Sequence, residues 1–418
     1  MSAKPSHLST NTADSLSPGL VVLMLSMLLG IQPVTTDLYL PALPALADSF
    51  AAPMAQAQYT LSALLLAFGL SQLIWGPLSD RFGRRPILLI GLGAYVLATV
   101  ASTLAPSMLW LIVWRVLQGA AMGAAVMCAR AIVRDLYRPT DGARIMSKGL
   151  SGLGLLACIS GPLGGLLAEH AGWRITLLAP GIFGALTLGL IALRFEESLS
   201  RPNPNALRPV TLLRTWLEIL RNPTFLAFSA LSAASYGGLF TFLATSSFVL
   251  IKLLGLSKTQ YGMVFFFMCL AYVFGTFLCR RLLPRFGVQT SVSIAAGLSL
   301  TGGLLMGGLA WVGVNNLWAI LLPYAIFMLA HGVHQPCSQS GAIGPFPQAA
   351  GTASALNGFI MMLVAFVMGT WLGTHMDGTA RVLTYGVALW SVVIALVAWT
   401  LVRRYGHAKL DIQTATTA

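Results

Sequence analysis

The sequence predicts an all-α membrane protein of twelve transmembrane helices, arranged as two pseudo-symmetric six-helix bundles. Three observations lead there. Of 418 residues, 56% are hydrophobic and 9% charged, with a mean hydropathy of +0.79. Soluble domains run nearer about 25% charged, so a surface this poor in charge has to face lipid. Apolar stretches of roughly 20 residues, the length that crosses a bilayer, recur along the chain. Finally, one short string appears twice, about half the chain apart.

The spans fall near 18–46, 57–78, 87–105, 108–132, 148–169 and 173–194, then 223–250, 260–282, 289–311, 316–338, 352–374 and 381–402. The polar stretch between the two sets carries Pro202, Pro204 and Pro209. The expected organisation is a tail (1–17), a first bundle (18–194), a linker (195–222), a second bundle (223–402) and a second tail (403–418). The 42 glycines and 21 prolines fit this class, because membrane helices tolerate both and use small residues for close packing. Ala45-Leu46-Ala47 looks like a cleavage site, but the apolar stretch before it is too long and is broken by Asp37 and three prolines. Span one is therefore expected to be retained.

The net charge of +13 does not point to nucleic acid, because the basic residues sit in short runs between spans. Arg81, Arg84 and Arg85 share one side with Arg134, Arg138, Arg144 and Lys148, with Arg201, Arg208, Arg214 and Arg221 of the linker, with Arg280, Arg281 and Arg285, and with Arg403, Arg404 and Lys409. The other side holds little beyond Arg174, Lys252, Lys258 and Arg381. The positive-inside rule then places both termini in the cytoplasm. The five cysteines form no CxxC pair and read as small packing residues.

The repeated string is Leu78-Ser79-Asp80-Arg81-Phe82-Gly83 after span two and Leu282-Leu283-Pro284-Arg285-Phe286-Gly287 after span eight. Its matched place in each half implies duplication, with a binding site between the halves near the midplane. The first copy lies in Gly76-Pro77-Leu78-Ser79-Asp80-Arg81-Phe82-Gly83-Arg84-Arg85-Pro86, a tight basic turn where Gly83 gives backbone freedom and Pro86 suits a first helical turn.

Span four contains Arg115 and Gln118, three residues apart and so on one helix face, with Gly119 beside them. An arginine inside a span is a functional candidate by default, though one near the outer end can instead snorkel to the interface. Asp37 of span one lies at a similar depth, within about 5 Å along the membrane normal. The two can pair, either as a structural ion pair or as a proton switch in which the carboxyl moves between an apolar surround and a guanidinium. Span five carries Gly152, Gly154, Gly161, Pro162, Gly164 and Gly165, a composition suited to kinking and tight packing. His331 and His334 of span ten can bind protons or substrate, or simply hydrogen-bond to backbone. Tyr236 and Phe240 either line an apolar cavity or pack against neighbours. Glu169 and His170 read as solvated residues at the outer end of span five.

The loop 76–86 closely resembles the G-x-L-x-D-R-x-G-R-R loop of the major facilitator superfamily. That resemblance implies a gate in which Gly76, Asp80, Arg81, Gly83, Arg84 and Arg85 latch the two halves on the cytoplasmic side. The string 111–119 resembles the L-x-x-x-R-x-x-Q-G motif of proton-coupled facilitators, which implies a proton-transfer role for Arg115. Asp37-Leu38-Tyr39-Leu40-Pro41-Ala42 resembles the bicyclomycin/chloramphenicol-resistance (Bcr/CflA) branch of drug:proton antiporters. Gly161, Pro162 and Gly165 match the antiporter motif G-P-x-x-G-G in part, with Leu166 in place of its last glycine.

The expected function is proton-coupled efflux of small amphipathic drugs of the chloramphenicol or bicyclomycin type across the bacterial inner membrane. Asp37 and Arg115 would couple protons, and Tyr39, Gln118, Tyr236, Phe240, His331 and His334 are the cavity candidates. A facilitator for a metabolite (a sugar, amino acid or nucleoside) is the alternative. With no nucleotide-binding loop, the proton gradient has to supply the energy, and no metal, cofactor or nucleic acid is expected. No catalytic constellation is present, so the chain does not read as an enzyme. The expected partners are a small-molecule substrate, protons and the bilayer, with the chain working as a monomer.

Overall fold

The structure is a computed structural model that describes residues 17–199, 202–204 and 206–406. Arg201, Lys409 and most of both tails lie outside the described residues. Among the described residues, eleven helical stretches are long and apolar enough to cross a membrane. The longest, Lys258–Trp311, has 54 residues and is two helices meeting at Gly287, where φ is 71°. Counted as two, it brings the total to the expected twelve.

The first half holds α1 (Pro18–Asp37), α2 (Leu43–Ser49), α3 (Met54–Phe82), α4 (Arg84–Thr103), α5 (Met108–Leu136), α6 (Pro139–His170) and α7 (Gly172–Arg194). The linker contains α8 (Pro209–Arg221). The second half holds α9 (Pro223–Ser247), α10 (Lys258–Trp311), α11 (Leu317–Ile343), α12 (Ala350–His375) and α13 (Arg381–Val397). Within the halves, α5 packs on α3 and α4, α1 on α6, and α10 on α11 and α13. Two seams join the halves: α3 against α12, and α6 against α10.

Span one is not a single helix. It breaks after Asp37, turns through Leu40–Ala42 and resumes as α2. Pro41 and Pro44 lack the backbone N–H that would carry the helix through. The broken segment reaches α9 and α10 of the second half.

Both copies of the repeated string end on a left-handed glycine, Gly83 at φ 102° and Gly287 at φ 71°. A side chain at either position would be strained, so the glycine lets two helices join with almost no loop. The copies differ chemically: Pro284 stands at the place of Asp80, and Val288 and Gln289 at those of Arg84 and Arg85.

The linker helix α8 is absent from the sequence expectation. Ile219 is buried and Trp216 half-buried, while Val210, Leu213, Leu217 and Leu220 stand exposed along the other side. Arg208, Arg214 and Arg221 punctuate its length. It lies at the same end as the 76–86 loop, called here the basic end.

Candidate transport site

Arg115 is fully buried in the first half. Its Nη1 donates to Gln118 Oε1 at 2.7 Å, and Gln118 Nε2 donates to Thr99 Oγ1 at 2.6 Å. Its guanidinium lies over the Tyr39 ring, 4.4 Å from the centroid. The Tyr39 hydroxyl sits 2.6 Å from Thr60 Oγ1, and that of Tyr95 sits 2.6 Å from Thr35 Oγ1. Arg115 Nε and Nη2 have no partner among the described residues. The charge is thus held by an amide and a π face, with two donors left over for an acceptor. Arg115 does not snorkel.

The possible pairing of Asp37 with Arg115 is not what forms. Among the described residues, Asp37 has no ion pair, and its carboxyl Oδ1 accepts from Thr36 Oγ1 at 2.8 Å. Its charge bears on Cys158 of α6, Tyr236 of α9, and Tyr261 and Cys269 of α10. Similar depth in the membrane does not set the direction around a helix axis. The turn after Asp37 aims Tyr39 at Arg115 and leaves the carboxyl, half-buried, facing the second half.

Away from the basic end the halves are closed. Gly161 and Gly165 of α6 lie against α10 so tightly that a Cβ on Gly161 would come 2.5 Å from Phe265 Cβ, and one on Gly165 2.5 Å from Lys258 O. Pro162 sits in the same contact, with its Cα 3.0 Å from the position of a Cβ on Gly262. Glu169 is not simply solvated: its Oε2 accepts from Thr259 N–H at 2.8 Å across the seam. Lys258 Nζ donates to Ala168 O at 2.9 Å, and Lys252 pairs with Asp48 at 2.5 Å.

At the basic end, Arg84 is buried and bridges Asp80 at 2.7 Å and Asp135 at 2.8 Å. Glu197 accepts from the backbone N–H of Arg84 and Arg85 at 2.8 and 3.0 Å, satisfying the start of α4. Arg85 also reaches Ala192 O at 3.1 Å, while Arg81 is exposed and stacks on Phe82. All of these ties close within the first half or onto the start of the linker. Among the described residues, no ion pair of Asp80, Arg81, Arg84 or Arg85 crosses to the second half in this conformation. Asp135 and Glu197 escaped the sequence reading, since each lies near a loop and looks like an ordinary polar residue there.

Between the halves at this end lies a cavity of about 550 Å³. Gly76, Asp80, Gln72, Met127, Arg130, Arg134, Trp216, Gln348 and Ser354 are among its walls. None of Tyr39, Gln118, Tyr236, Phe240, His331 and His334 lines it. All six are buried, Tyr39 and Gln118 in the Arg115 network. His331 Nδ1 is 2.7 Å from Ser235 Oγ, and His334 Nε2 is 3.2 Å from Ser299 Oγ with the Ala295 backbone beside the ring, while His334 Nδ1 has no hydrogen-bond partner among the described residues. Arg130 was also missed. It stands within the last turns of span four, but beside Arg134 and Arg138 it is indistinguishable in sequence from the basic residues that set topology.

The Major Facilitator Superfamily model matches residues 25–370. The chain is 26% identical to the bicyclomycin resistance protein homolog of Haemophilus influenzae, over 92% of this chain and 96% of that protein. It is 30% identical to multidrug resistance protein D of Escherichia coli, over 84% and 87%. It is 26% identical to the chloramphenicol resistance protein of Pseudomonas aeruginosa, over 83% and 82%. In fold it is similar to a D-xylose–proton symporter (TM-score 0.70, 17% identity, 91% and 97% covered). It is equally similar to an inward-facing bacterial homologue of the lysosomal transporter Spinster (TM-score 0.69, 17% identity, 93% and 96% covered). Two duplicated halves, the loop 76–86 and these likenesses converge: the chain belongs to the Major Facilitator Superfamily, a multi-pass membrane transporter rather than an enzyme, and resembles its bicyclomycin and chloramphenicol resistance proteins.

Proposed function

We propose that the protein exports small amphipathic compounds of the chloramphenicol or bicyclomycin type across the bacterial inner membrane in exchange for protons. The bundles 18–194 and 223–402 rock against each other, the basic end faces the cytoplasm with both termini, and the chain acts as a monomer. No cofactor takes part; the proton gradient drives the cycle. The observation that carries this reading is Asp37: a carboxyl in a broken transmembrane helix, facing the opposite half and without a cation partner among the described residues. A carboxylate there disfavours a dry seam, whereas a carboxylic acid tolerates one. Loss of a proton from Asp37 thus favours separation of the halves, and Arg115, with two idle donors, is placed to receive the carboxylate after a turn of the broken segment. Relatives named for bicyclomycin, chloramphenicol and multidrug resistance support the cargo class.

The test is efflux from cells lacking their own pumps, with wild type and Asp37→Asn at matched expression. Chloramphenicol and a panel of amphipathic antibiotics are loaded, and the gradient is then collapsed with an uncoupler. Wild type is expected to lower accumulation, and both the uncoupler and Asp37→Asn to abolish that. If no panel compound moves, a metabolite is the cargo. If Asp37→Asn still shows gradient-dependent efflux, the proton site lies elsewhere.

A further inference from the structure

We infer that Arg130 makes the cavity at the basic end a capture site for amphipathic anions: compounds with one carboxylate or similar acidic group on an apolar body. This deepens the export reading and rests on it only for the direction of travel.

Arg130 lies six residues before the end of α5, about 9 Å inside it. An arginine at that depth carries a desolvation cost, and its usual compensation is a carboxylate. Among the described residues Arg130 has none. Its Nη1 donates to Ser354 Oγ of α12 at 2.5 Å, a neutral partner on the opposite half.

Among the described residues, the charged side chains on the cavity wall are Asp80, Arg130 and Arg134. Asp80 is already bridged, by Arg84 at 2.7 Å and Arg134 at 3.5 Å. The uncompensated charge is thus one cation, and it sits at Arg130. Around it the wall joins apolar side chains, Leu73, Met127, Met146, Leu212, Trp216 and Ile343, to neutral polar ones such as Gln72, Thr211 and Gln348. A volume of about 550 Å³ falls within the range of small-molecule pockets. One cation without a carboxylate partner, beside apolar wall and open at the end where cargo would load, recognises a single negative charge on a greasy frame. A guanidinium fits a carboxylate in a two-pronged bond, which a neutral amide cannot match.

The test uses the full chain, purified in detergent, with isothermal titration of 1-naphthylacetate and its neutral counterpart 1-naphthylacetamide. Wild type is expected to bind the carboxylate at least about tenfold more tightly than the amide, as a charge-assisted pair requires. Arg130→Gln keeps a donor for Ser354 but drops the charge, and the preference is expected to fall to within twofold, roughly at parity. Ser354→Ala removes the tie and leaves the charge, so the preference stays. Should Arg130→Gln fail to give a monodisperse protein, Ser354→Asp replaces it: the new carboxylate occupies the guanidinium and the preference vanishes. The inference falls if wild type binds neither probe or both equally, if Arg130→Gln keeps the preference, or if Ser354→Ala loses it. No gradient enters this measurement, so its failure is separate from failure of the export assay with neutral drugs.

Discussion

The guanidinium carbon of Arg115 lies 4.4 Å from the centroid of the Tyr39 ring, and among the described residues no carboxylate reaches that guanidinium. The ring therefore shares the compensation of a buried charge with the Gln118 amide oxygen, 2.7 Å from Nη1. A desolvated contact of this kind is worth about 2 kcal/mol, whereas the Tyr39–Thr60 hydrogen bond contributes about 1 kcal/mol. Tyr39→Leu is expected to destabilise the protein by about 2–3 kcal/mol and Tyr39→Phe by about 1 kcal/mol, read by denaturation in detergent. Equal losses in the two variants would mean that the hydroxyl, not the π face, holds Arg115.

Arg84 and Arg81 stand in the same loop and should respond in opposite ways. Arg84 is 1% exposed and joins two carboxylates, and removing one partner of such a buried cluster costs about 3–5 kcal/mol. Arg81 is exposed and has no ion pair among the described residues, so its truncation should stay within about 0.5 kcal/mol. Thermal unfolding of Arg84→Ala and Arg81→Ala at matched lipid content separates them. A large loss for Arg81→Ala would show that its stacking on Phe82 matters more than its exposure suggests.

The closed seam depends on glycine packing more than on charge. Asp48 and Lys252 are 63% and 42% exposed, and exposed pairs contribute about 0–1 kcal/mol. Gly165, in contrast, faces backbone that cannot step aside, since a Cβ there would meet Lys258 O at 2.5 Å. Asp48→Asn is expected to leave efflux within about twofold of wild type. Gly165→Val is expected to abolish it by wedging the seam open, with accessibility to a membrane-impermeant thiol reagent rising at Cys158 and Cys269, which face each other there. An unaltered labelling pattern in Gly165→Val would count against the wedge.

That thiol pair gives a check on the cycle itself. Cys158 belongs to α6 and Cys269 to α10, so each half supplies one sulfur. Mild oxidation of the wild type with copper phenanthroline should link them and stop transport, and a reductant should restore it. Cys279 and Cys337, 3.7 Å apart within the second half, should be permissive if linked. Inhibition that persists in Cys158→Ser would assign the effect to another thiol.

Much of this molecule is legible in its sequence, and the divisions follow physical causes. Span positions follow from apolar length, and Gly287 turns the chain where the repeat of 78–83 implies. Azimuth is what composition does not carry. Asp37 and Arg115 share a depth yet point apart, because Pro41 and Pro44 break span one just beyond the carboxyl. The cavity candidates share this problem: aromatic and histidine side chains mark polar or bulky faces, and only packing decides which face meets the opening. The helix α8 hid behind Pro209 and its arginines, since thirteen residues are too short for a span. Arg130 was visible as a letter, but its having no ion pair among the described residues is a property of three dimensions.

The linker also sets a mechanical limit. Asn203 N–H donates to Asp80 O at 2.9 Å, fastening the linker to the first half, while α8 packs on α9 and α12 of the second. Six residue-to-residue steps separate those two anchorages, from 203 to 209. Fully stretched, they reach about 20 Å. While both anchorages hold, this leash caps the amplitude with which the mouth at that end can gape, and so the girth of any cargo that enters there. Inserting a flexible segment after residue 204, between the wall residues Asn203 and Ala206, would lengthen the leash while leaving Arg130 and the helical walls in place, turning size selection into a property set by linker length.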